Sequence, residues 1–388
     1  MNDQAMVVAA RRTPIGTAGH GLAGVSVDRL LTPVLTAVAA DAAIDSATDA
    51  VRVDDVVIGN CVGPGGNIAR VGALAAGLGE DVPGVTVDRQ CGSGLAAVLL
   101  AAQAIRAGDA SLILAGGAES ASTAPRRAYR AVQPGEPDSP YTRAAFTPPE
   151  YGDPDMGEAA DALAAATGVT RERQDAYAAA SHAKALAARE AGRFDAELVP
   201  VAGLRHDERP RPLRESVLAR MPAAFVPGGS VTAGNSCPVS DGAAAVTMVS
   251  ARTHPGRPGL RLVAGAVVGC DPRLPGWGPV PAVERVLSRA GVGIRQVAAV
   301  EIVEAFAGQV LAVADAIGLD ALHRDAARVC PDGGALALGH PWGATGAVSV
   351  VRLFSRLVRG GAPAGTLGLA TAAVGGGMGV AALFEVVR

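Results

Sequence analysis

Short apolar segments alternate with alanine- and leucine-rich segments of helical length in the first third of this chain, and this alternation restricts the fold more than any other feature. Strands are predicted at Ala5–Ala10 and Asp55–Gly59, and helices at Val27–Ala40 and Gly94–Gly108. The strand-like segments are continuously apolar, which is typical of parallel strands that helices cover on both faces. The pattern therefore predicts an α/β fold.

The last third of the chain repeats this alternation. Strands are predicted at Leu262–Val268 and Val297–Ile302, and helices at Val280–Ala290 and Gly343–Arg359. Two regions with the same rhythm indicate a twofold α/β scaffold, although they resemble each other in pattern only.

The middle of the chain differs, because it begins with a stretch rich in proline, charge and aromatic side chains. A helix is predicted over Thr170–Gly192, with Thr170 as its N-cap and with His182 exposed to solvent. We therefore predict three parts: an N-terminal half over residues 1–118, an inserted loop domain over 119–250 and a C-terminal half over 251–388.

Composition excludes several classes of function. Hydrophobic residues make up 49% of the chain, which excludes a disordered protein, and the net charge of −3 provides no cationic surface for nucleic acid or an anionic membrane. The most apolar helical run, Leu95–Ala104, is shorter than the about 20 residues that a membrane span needs. The five cysteines are widely spaced without a CxxC pair. They predict reduced thiols in the cytoplasm and neither disulfides nor a metal site.

The first motif that carries chemistry is Asp88–Gly94, with the sequence DRQCGSG. An apolar strand precedes this glycine-containing turn and an apolar helix follows it, so Cys91 is expected at a helix N-terminus. Unpaired backbone N–H groups there stabilise a thiolate, and the motif therefore predicts a nucleophilic Cys91 with a lowered pKa. A buried structural cysteine is the alternative from this segment alone.

Two further glycine-rich motifs lie near the C-terminus. The segment Gly333–Gly346 places His340 between two turns and at the start of a helix, which is how a loop presents a side chain to a pocket. The segment Gly368–Gly379 reads as a hairpin with a glycine-rich turn, which by itself is usually structural.

Together these three motifs resemble the thiolase superfamily, and the resemblance covers nearly the whole chain. It implies two βαβαβαββ halves in five α-β-α-β-α layers, with a middle loop domain that binds coenzyme A. It also implies a homodimer or homotetramer that uses acyl-CoA as substrate and has no permanently bound cofactor or metal. The supporting segments, in order, are AARRTPIG (9–16), GGAES (116–120), AGRF (191–194), VTAGN (231–235), DGAAA (241–245), GPVPA (278–282) and EAFA (304–307).

The resemblance assigns roles to individual residues. Cys91 would carry the acyl group, His340 would activate Cys91, and the backbone N–H groups of Cys91 and Gly375 would bind the oxyanion of the tetrahedral intermediate. Further residues would contact the substrate or its coenzyme A moiety: Met156, Ser236, Cys237, Trp277, Phe306 and Trp342.

The chain departs from the family where carbon–carbon chemistry is performed. Ala373 stands where the family has an acid–base cysteine, and Val303 stands where an asparagine holds the water of the enolate site. Losing one acid–base group typically costs about 10²–10⁴-fold in rate, and losing an oxyanion donor costs about 10²–10³-fold. We therefore expect ordinary Claisen chemistry to be impaired unless Cys237 or Cys330 acts as a substitute base.

Three hypotheses follow. In the first, the chain is an acyltransferase that loads Cys91 from coenzyme A or a carrier protein and passes the acyl group to an amine, alcohol or thiol. In the second, it is an ordinary thiolase with a substitute base or an engineered Ala373. In the third, it is a non-catalytic subunit that binds acyl-CoA or a partner enzyme, against which the retention of Cys91 and His340 argues.

Overall fold

The computed structural model describes residues 3–43 and 52–388. Its strands are β1 (Ala5–Arg12), β2 (Gly16–Thr17), β3 (Asp55–Gly59), β4 (Val85–Val87), β5 (Leu112–Ser120), β6 (Arg127–Tyr129), β7 (Ser139–Tyr141), β8 (Ser240–Ser250), β9 (Gly259–Gly269), β10 (Val297–Ile302), β11 (Leu367–Val374) and β12 (Met378–Val387). Its helices are α1 (Val27–Asp41), α2 (Ile68–Ala75), α3 (Ser93–Ala107), α4 (Met156–Thr167), α5 (Arg171–Glu190), α6 (Glu215–Leu218), α7 (Pro279–Ala290), α8 (Ala307–Ala316), α9 (Ala335–Leu338) and α10 (Trp342–Leu353). A π-helical segment, Phe354–Arg359, continues α10. None of these helices has both the length and the apolar character that a bilayer span would require.

The main sheet of the described residues repeats one topology twice. Its strand order is β10-β11-β12-β9-β1-β8-β5-β3-β4, and β2 pairs with β8. In the first half the order is β1-β8-β5-β3-β4, and in the second β9-β12-β11-β10 follows the same path. The isolated parallel bridge between Val300 and Val329 takes the place of β4 in the second half. Both halves therefore follow the predicted βαβαβαββ order, with one strand of the second half reduced to that bridge.

Helices separate the two halves and cover them. Helices α3 and α10 pack against each other and against strands of both halves, and so they form the middle layer. Helices α1 and α2 pack on strands of the first half, and α7 packs on strands of the second half. The buried apolar residues of the described chain accordingly form separate clusters around α3 and α10, around α7 and α8, and around α1 and α2. These layers are those of the predicted five-layered fold.

One strand bears on the predicted division of the chain. Strand β8 lies within residues 119–250, yet its residues 241–250 pair with β1 and β5 of the first half, and Ser240 pairs with β2. All its residues are buried, so it belongs to the main sheet and not to an insertion. The boundaries at 118 and 250 stay a prediction, and the sheet assigns these eleven residues to the first half.

The middle region places two helices over the second half, where α4 and α5 pack on α8. The predicted N-cap is confirmed, because the Thr170 hydroxyl accepts a hydrogen bond of 3.4 Å from the backbone N–H of Arg173. The predicted exposure of His182 is wrong. This side chain is buried, and its Nδ1 accepts a hydrogen bond of 3.3 Å from the backbone N–H of Arg211. The face of α5 that carries His182 packs against the core. The polar residues beside it in the sequence gave no indication of this burial.

A buried network of charges joins the three regions. Arg12 on β1 is fully buried, and its guanidinium lies 2.7 Å from Glu197 and 2.7 Å from Asp207, both in the middle region. Arg352 on α10 pairs with the same Glu197 and lies 2.6 Å from Asp332. Because Glu197 accepts from both arginines, its carboxylate ties the first half to the second through the middle region.

We predict that Glu197→Gln lowers the free energy of unfolding at pH 7 by about 1.5–3 kcal/mol, because both arginines lose an ionised partner while Asp207 and Asp332 still compensate their charge. Burial alone would raise the pKa of Glu197, but Arg352 and Arg12 hold it below its usual value. The ionised carboxylate therefore stabilises the fold above its unfolded pKa of about 4.3, and this contribution is lost as the pH falls through the lower folded pKa.

Urea denaturation of the wild-type and variant chains at neutral and acidic pH measures the difference. The exposed Glu136→Gln is the matched control and should leave stability unchanged. Equal stability of the Glu197→Gln variant at pH 7, or a gap that widens toward acid, would contradict the assignment.

Candidate active site

A cavity lies where α3 and α10, the β11–β12 hairpin and α4 meet. The first residues of α4 and α10 and the turn that precedes α3 open onto it. Its lining consists of Cys91, Met156, Ala160, Cys237, Pro275, Gly276, Ala305, Phe306, Gln309, His340, Trp342, Ala373, Val374 and Gly375.

Cys91 sits in a tight turn between β4 and α3. Gln90 adopts a left-handed backbone conformation with φ of 45°, which is unusual for a residue other than glycine. The Ser93 hydroxyl holds the turn closed, because it accepts a hydrogen bond of 2.7 Å from the Arg89 N–H and donates one of 2.6 Å to the Gln90 carbonyl. Together these bonds direct Cys91 into the cavity just before the helix begins.

The predicted lowering of the Cys91 pKa is wrong. Burial raises the pKa of Cys91 to about 12, and the carboxylates of Glu119 and Asp88 raise it further. The backbone N–H of Cys91 favours the thiolate, as expected at a helix N-terminus, but desolvation outweighs it. The sulfur is therefore a protonated thiol at neutral pH and needs a base to become a nucleophile.

His340 is the candidate base in the same cavity. Its side chain is buried, and its Nδ1 lies 2.8 Å from the Thr345 hydroxyl, which in turn donates a hydrogen bond of 3.0 Å to the Pro341 carbonyl. Because that hydroxyl proton is already used, Thr345 accepts from Nδ1–H, and the lone pair of His340 is on Nε2. This Nε2 atom is buried and has no hydrogen-bond partner in the described residues.

Burial also sets the charge of His340. It lowers the pKa of the imidazole to about 4, so the ring is neutral at physiological pH. A neutral imidazole with a free Nε2 lone pair can accept the proton of a neutral thiol. The pair Cys91 and His340 thus has the composition of a nucleophile and its general base.

Glu119 fixes the helix that follows this histidine in the chain. Its buried carboxylate accepts hydrogen bonds of 3.0 Å from the Gly343 N–H in the first turn of α10 and 3.0 Å from the Cys61 N–H. It also accepts one of 2.8 Å from the Asn60 side chain. The start of α10 is thereby tied to the loop after β3, on the side of the first half.

The β11–β12 hairpin closes the cavity. Gly376 and Gly377 form its turn with φ of 82° and 79°, which only glycine adopts without strain. Gly375 lies directly before them in the cavity wall. The neighbouring Ala373 presents a methyl group to the cavity where the family resemblance expects a cysteine.

Val303 does not reach the cavity. Its side chain is buried in the core around α3 and α10, and its backbone N–H donates a hydrogen bond of 2.9 Å to the Thr371 carbonyl. The valine side chain also has no polar group with which to hold a water molecule for an enolate oxygen.

The structure brings most of the predicted site residues together. Ser236 and Trp277 are exceptions, since neither lines the cavity. The Ser236 hydroxyl donates a hydrogen bond of 2.7 Å to the Thr232 carbonyl within its own turn, and Trp277 packs against the core around α7 and α8. Those that do line the cavity are Cys91, Met156, Cys237, Phe306, His340, Trp342, Ala373 and Gly375.

The two candidate substitute bases, Cys237 and Cys330, differ in whether they reach the cavity. Cys237 lies in the cavity wall, and burial raises the pKa of its thiol to about 12, with a further contribution from nearby Cys91. Cys330 is fully buried outside the cavity, and its sulfur donates a hydrogen bond of 3.3 Å to the Ile302 carbonyl. The structure therefore removes Cys330 from the candidates.

Sequence reasoning missed several lining residues, of which Gln309 is the polar one. It lies one helical turn after Phe306, and that spacing was the available signal because positions three apart share a helix face. The apolar ones are Ala160, Pro275, Gly276, Ala305 and Val374. Within residues 3–43 and 52–388, no group of three or more histidine, cysteine or carboxylate side chains is arranged to bind a metal ion.

Comparison with known proteins decides the family. The model described as "Thiolase, N-terminal domain" matches residues 5–252, and the one described as "Thiolase, C-terminal domain" matches residues 257–386. The chain belongs to the thiolase family. The resemblance that the three motifs carry is thereby confirmed.

Relatives agree over nearly full length. The chain is 41% identical to an acetyl-CoA acetyltransferase of Pseudomonas aeruginosa, over 97% of this chain and 98% of the relative. It is 37% identical to a beta-ketoadipyl-CoA thiolase of Escherichia coli, over 98% of this chain and 99% of the relative. The solved structure of human mitochondrial 3-ketoacyl-CoA thiolase in complex with CoA matches with a TM-score of 0.91 at 32% identity, covering 100% of this chain and 98% of that one. The chain is therefore an acyltransferase of the thiolase family, and the predicted thiolase fold is confirmed.

We predict that the rate of Cys91 alkylation by iodoacetamide is nearly constant between about pH 6 and about pH 9. In that range His340 is already unprotonated, with its pKa near 4, and Cys91 still carries its proton, with its pKa near 12. The rate should fall as the pH approaches 4, because His340 then gains a proton and can no longer act as a base.

Peptide mass spectrometry resolves Cys91 from the other cysteines and gives the rate. In the control variant His340→Gln only the rare thiolate reacts, so its rate should rise about tenfold per pH unit across this range. A wild-type rate with the same steep rise would show that His340 does not assist the thiol.

Proposed function

We propose that this chain takes an acyl group from a coenzyme A thioester onto Cys91 and passes it to an amine, alcohol or thiol, not to a carbon nucleophile. The observation that carries the proposal is an asymmetry in the cavity. Cys91 and His340 are both present there, while Ala373 and Val303 offer no acid–base group and no enolate donor.

The loading step uses groups that line the cavity. His340 Nε2 takes the proton of Cys91, and the thiolate attacks the thioester carbon. The N–H groups of Cys91 and Gly375 are the proposed donors to the oxyanion, and one such donor is typically worth about 3–4 kcal/mol. The intermediate collapses with breakage of the bond to coenzyme A sulfur, which takes the proton back from His340.

The transfer step needs an acceptor that loses its proton readily. His340 Nε2 takes a proton from the amine, alcohol or thiol as that atom attacks the acyl carbon. The bond to the Cys91 sulfur then breaks, and the proton on His340 returns to the sulfur. An α-carbon is a much weaker acid, and its deprotonation would require a second base and an enolate site.

A second candidate function is supported by the position of Cys237. Its thiol lies in the wall of the same cavity as Cys91. If Cys237 removes an α-proton in place of the missing cysteine, Claisen condensation remains open to this chain. This alternative predicts acetoacetyl-CoA formation that is lost in Cys237→Ala.

We predict that incubation with acetyl-CoA adds one acetyl group at Cys91, observed by intact-protein and peptide mass spectrometry. His340→Gln should slow this loading by about 10²–10⁴-fold, since it removes the general base. Addition of a primary amine, an alcohol or a thiol should then remove the acetyl group at a rate above that of hydrolysis.

Controls separate the alternatives. Cys91→Ser should form no thioester adduct, and Cys237→Ala should load normally. Absence of any adduct in the wild-type chain would sink the proposal and favour a non-catalytic acyl-CoA-binding subunit. Acetoacetyl-CoA formation at rates typical of enzymes, about 1–10³ s⁻¹, would favour the Claisen alternative.

We further infer a homodimer, which assembles through the free edge of the main sheet. Strand β4 ends the sheet of the described residues, and Val85 on it is 44% exposed. Val71 and Leu74 on α2 and Leu100 on α3 add further exposed apolar surface. An uncovered edge strand flanked by apolar side chains favours pairing with a second copy.

The five free cysteines support a reducing, cytoplasmic setting, in which a carrier protein is an alternative acyl donor.

We predict that Val85→Lys shifts the chain from dimer to monomer in size-exclusion chromatography with light scattering, because a charge at the edge opposes pairing. Val132→Lys is the matched control, as Val132 is 94% exposed and lies in the middle region. A dimer that persists in Val85→Lys at low protein concentration would exclude this edge as the interface.

A further inference from the structure

Gln309 has a buried amide without hydrogen-bond partners in the cavity wall. The side chain belongs to α8 and is 1% exposed. Both its Oε1 and its Nε2 lack a hydrogen-bond partner among the described residues. A buried amide in that state is costly unless a ligand or an ordered water satisfies it. The proposed chemistry of Cys91 and His340 makes no use of it.

The side chains packed around Gln309 in the described structure offer its amide no hydrogen-bond partner. Gly276 packs on its aliphatic part, since a Cβ atom there would lie 3.1 Å from Gln309 Cγ. The cavity is also lined by several apolar residues, which are Met156, Ala160, Pro275, Phe306 and Val374. A chain that enters this part of the cavity would therefore meet apolar contacts and one amide.

The absence of charged side chains among the described lining residues of the cavity restricts the groups that a bound acyl chain can carry. None of the described residues that line the cavity bears a charge at neutral pH, because His340 is neutral there. An ionised carboxylate would be buried without a cation, which is strongly unfavourable. A hydroxyl or amide N–H group can instead donate to Gln309 Oε1, and a keto, hydroxyl or amide oxygen can accept from Nε2. All of these groups remain neutral.

We propose that Gln309 determines acyl specificity, by hydrogen bonding to a neutral polar group on the acyl chain that Cys91 accepts. The inference rests on the proposed function only in that Cys91 is the site of loading. Gln309 is a specificity residue here, since it contacts the substrate chain away from the reacting carbonyl.

Isosteric thioesters test the inference. We compare 4-oxopentanoyl-CoA, 4-methylpentanoyl-CoA and succinyl-CoA, which differ at one end in a ketone, a methyl branch and a carboxylate. The pair 3-hydroxybutyryl-CoA and 3-methylbutyryl-CoA places the polar group one carbon nearer the thioester. The rate constant for adduct formation at Cys91, from intact-protein mass spectrometry, is the readout.

We expect the wild-type chain to prefer the neutral polar member of at least one set over its methyl isostere by about tenfold or more, and to load succinyl-CoA slowest of its set. Gln309→Met, which keeps the length of the side chain without the amide, should abolish the preference. Gln309→Leu is a second variant in case the first misfolds. Gln103→Met, an exposed substitution on α3, is the matched control and should keep it.

The outcomes are distinguishable. A wild-type chain without the preference, or a Gln309→Met variant that retains it, overturns the inference while the proposed function stands. An equal slowing of all thioesters in Gln309→Met also overturns it, because a purely structural role would have that effect. No adduct from any thioester, acetyl-CoA included, overturns the proposed function and the inference with it.

Discussion

The close packing of α3 against α10 in the middle layer is the constraint on which the rest of the structure depends. A Cβ atom at Gly94 would lie 2.8 Å from the backbone nitrogen of Ala347, and one at Gly117 would lie 1.9 Å from the Gly343 carbonyl oxygen. Backbone thus meets backbone where side chains would normally separate the elements. This approach brings the turn that carries Cys91 and the loop that carries His340 to one cavity.

Burial then decides which chemistry the cavity supports. In water a thiol and an imidazole titrate within about two pH units of each other, whereas here burial moves the pKa of Cys91 to about 12 and that of His340 to about 4. Both groups stay neutral over the physiological range, and charge arises only when a proton passes between them.

Much of the fold was predictable because it depends on local pattern. Apolar strands, alanine-rich helices and the Thr170 cap are features of neighbouring residues, and the turns around Cys91 and His340 are glycine-rich motifs of the same kind. The failures concern properties set by distant residues. The pKa of Cys91 depends on burial and on Glu119, the burial of His182 depends on what packs over α5, and Ser236 and Trp277 turn away from the cavity. Gln309 was missed because its lack of partners exists only once the chain has folded.

The repeat of the topology has a consequence for the arrangement of the site. Helix α3 follows the third strand position of its half and α10 follows the third strand position of the other, so the two are counterparts. The sulfur of Cys91 lies just before α3, and the imidazole of His340 lies just before α10. Equivalent places in the two halves thus hold unlike side chains, a thiol in one and an imidazole in the other. Either half alone would hold only one of these two side chains, so their meeting in one cavity depends on both halves of the chain.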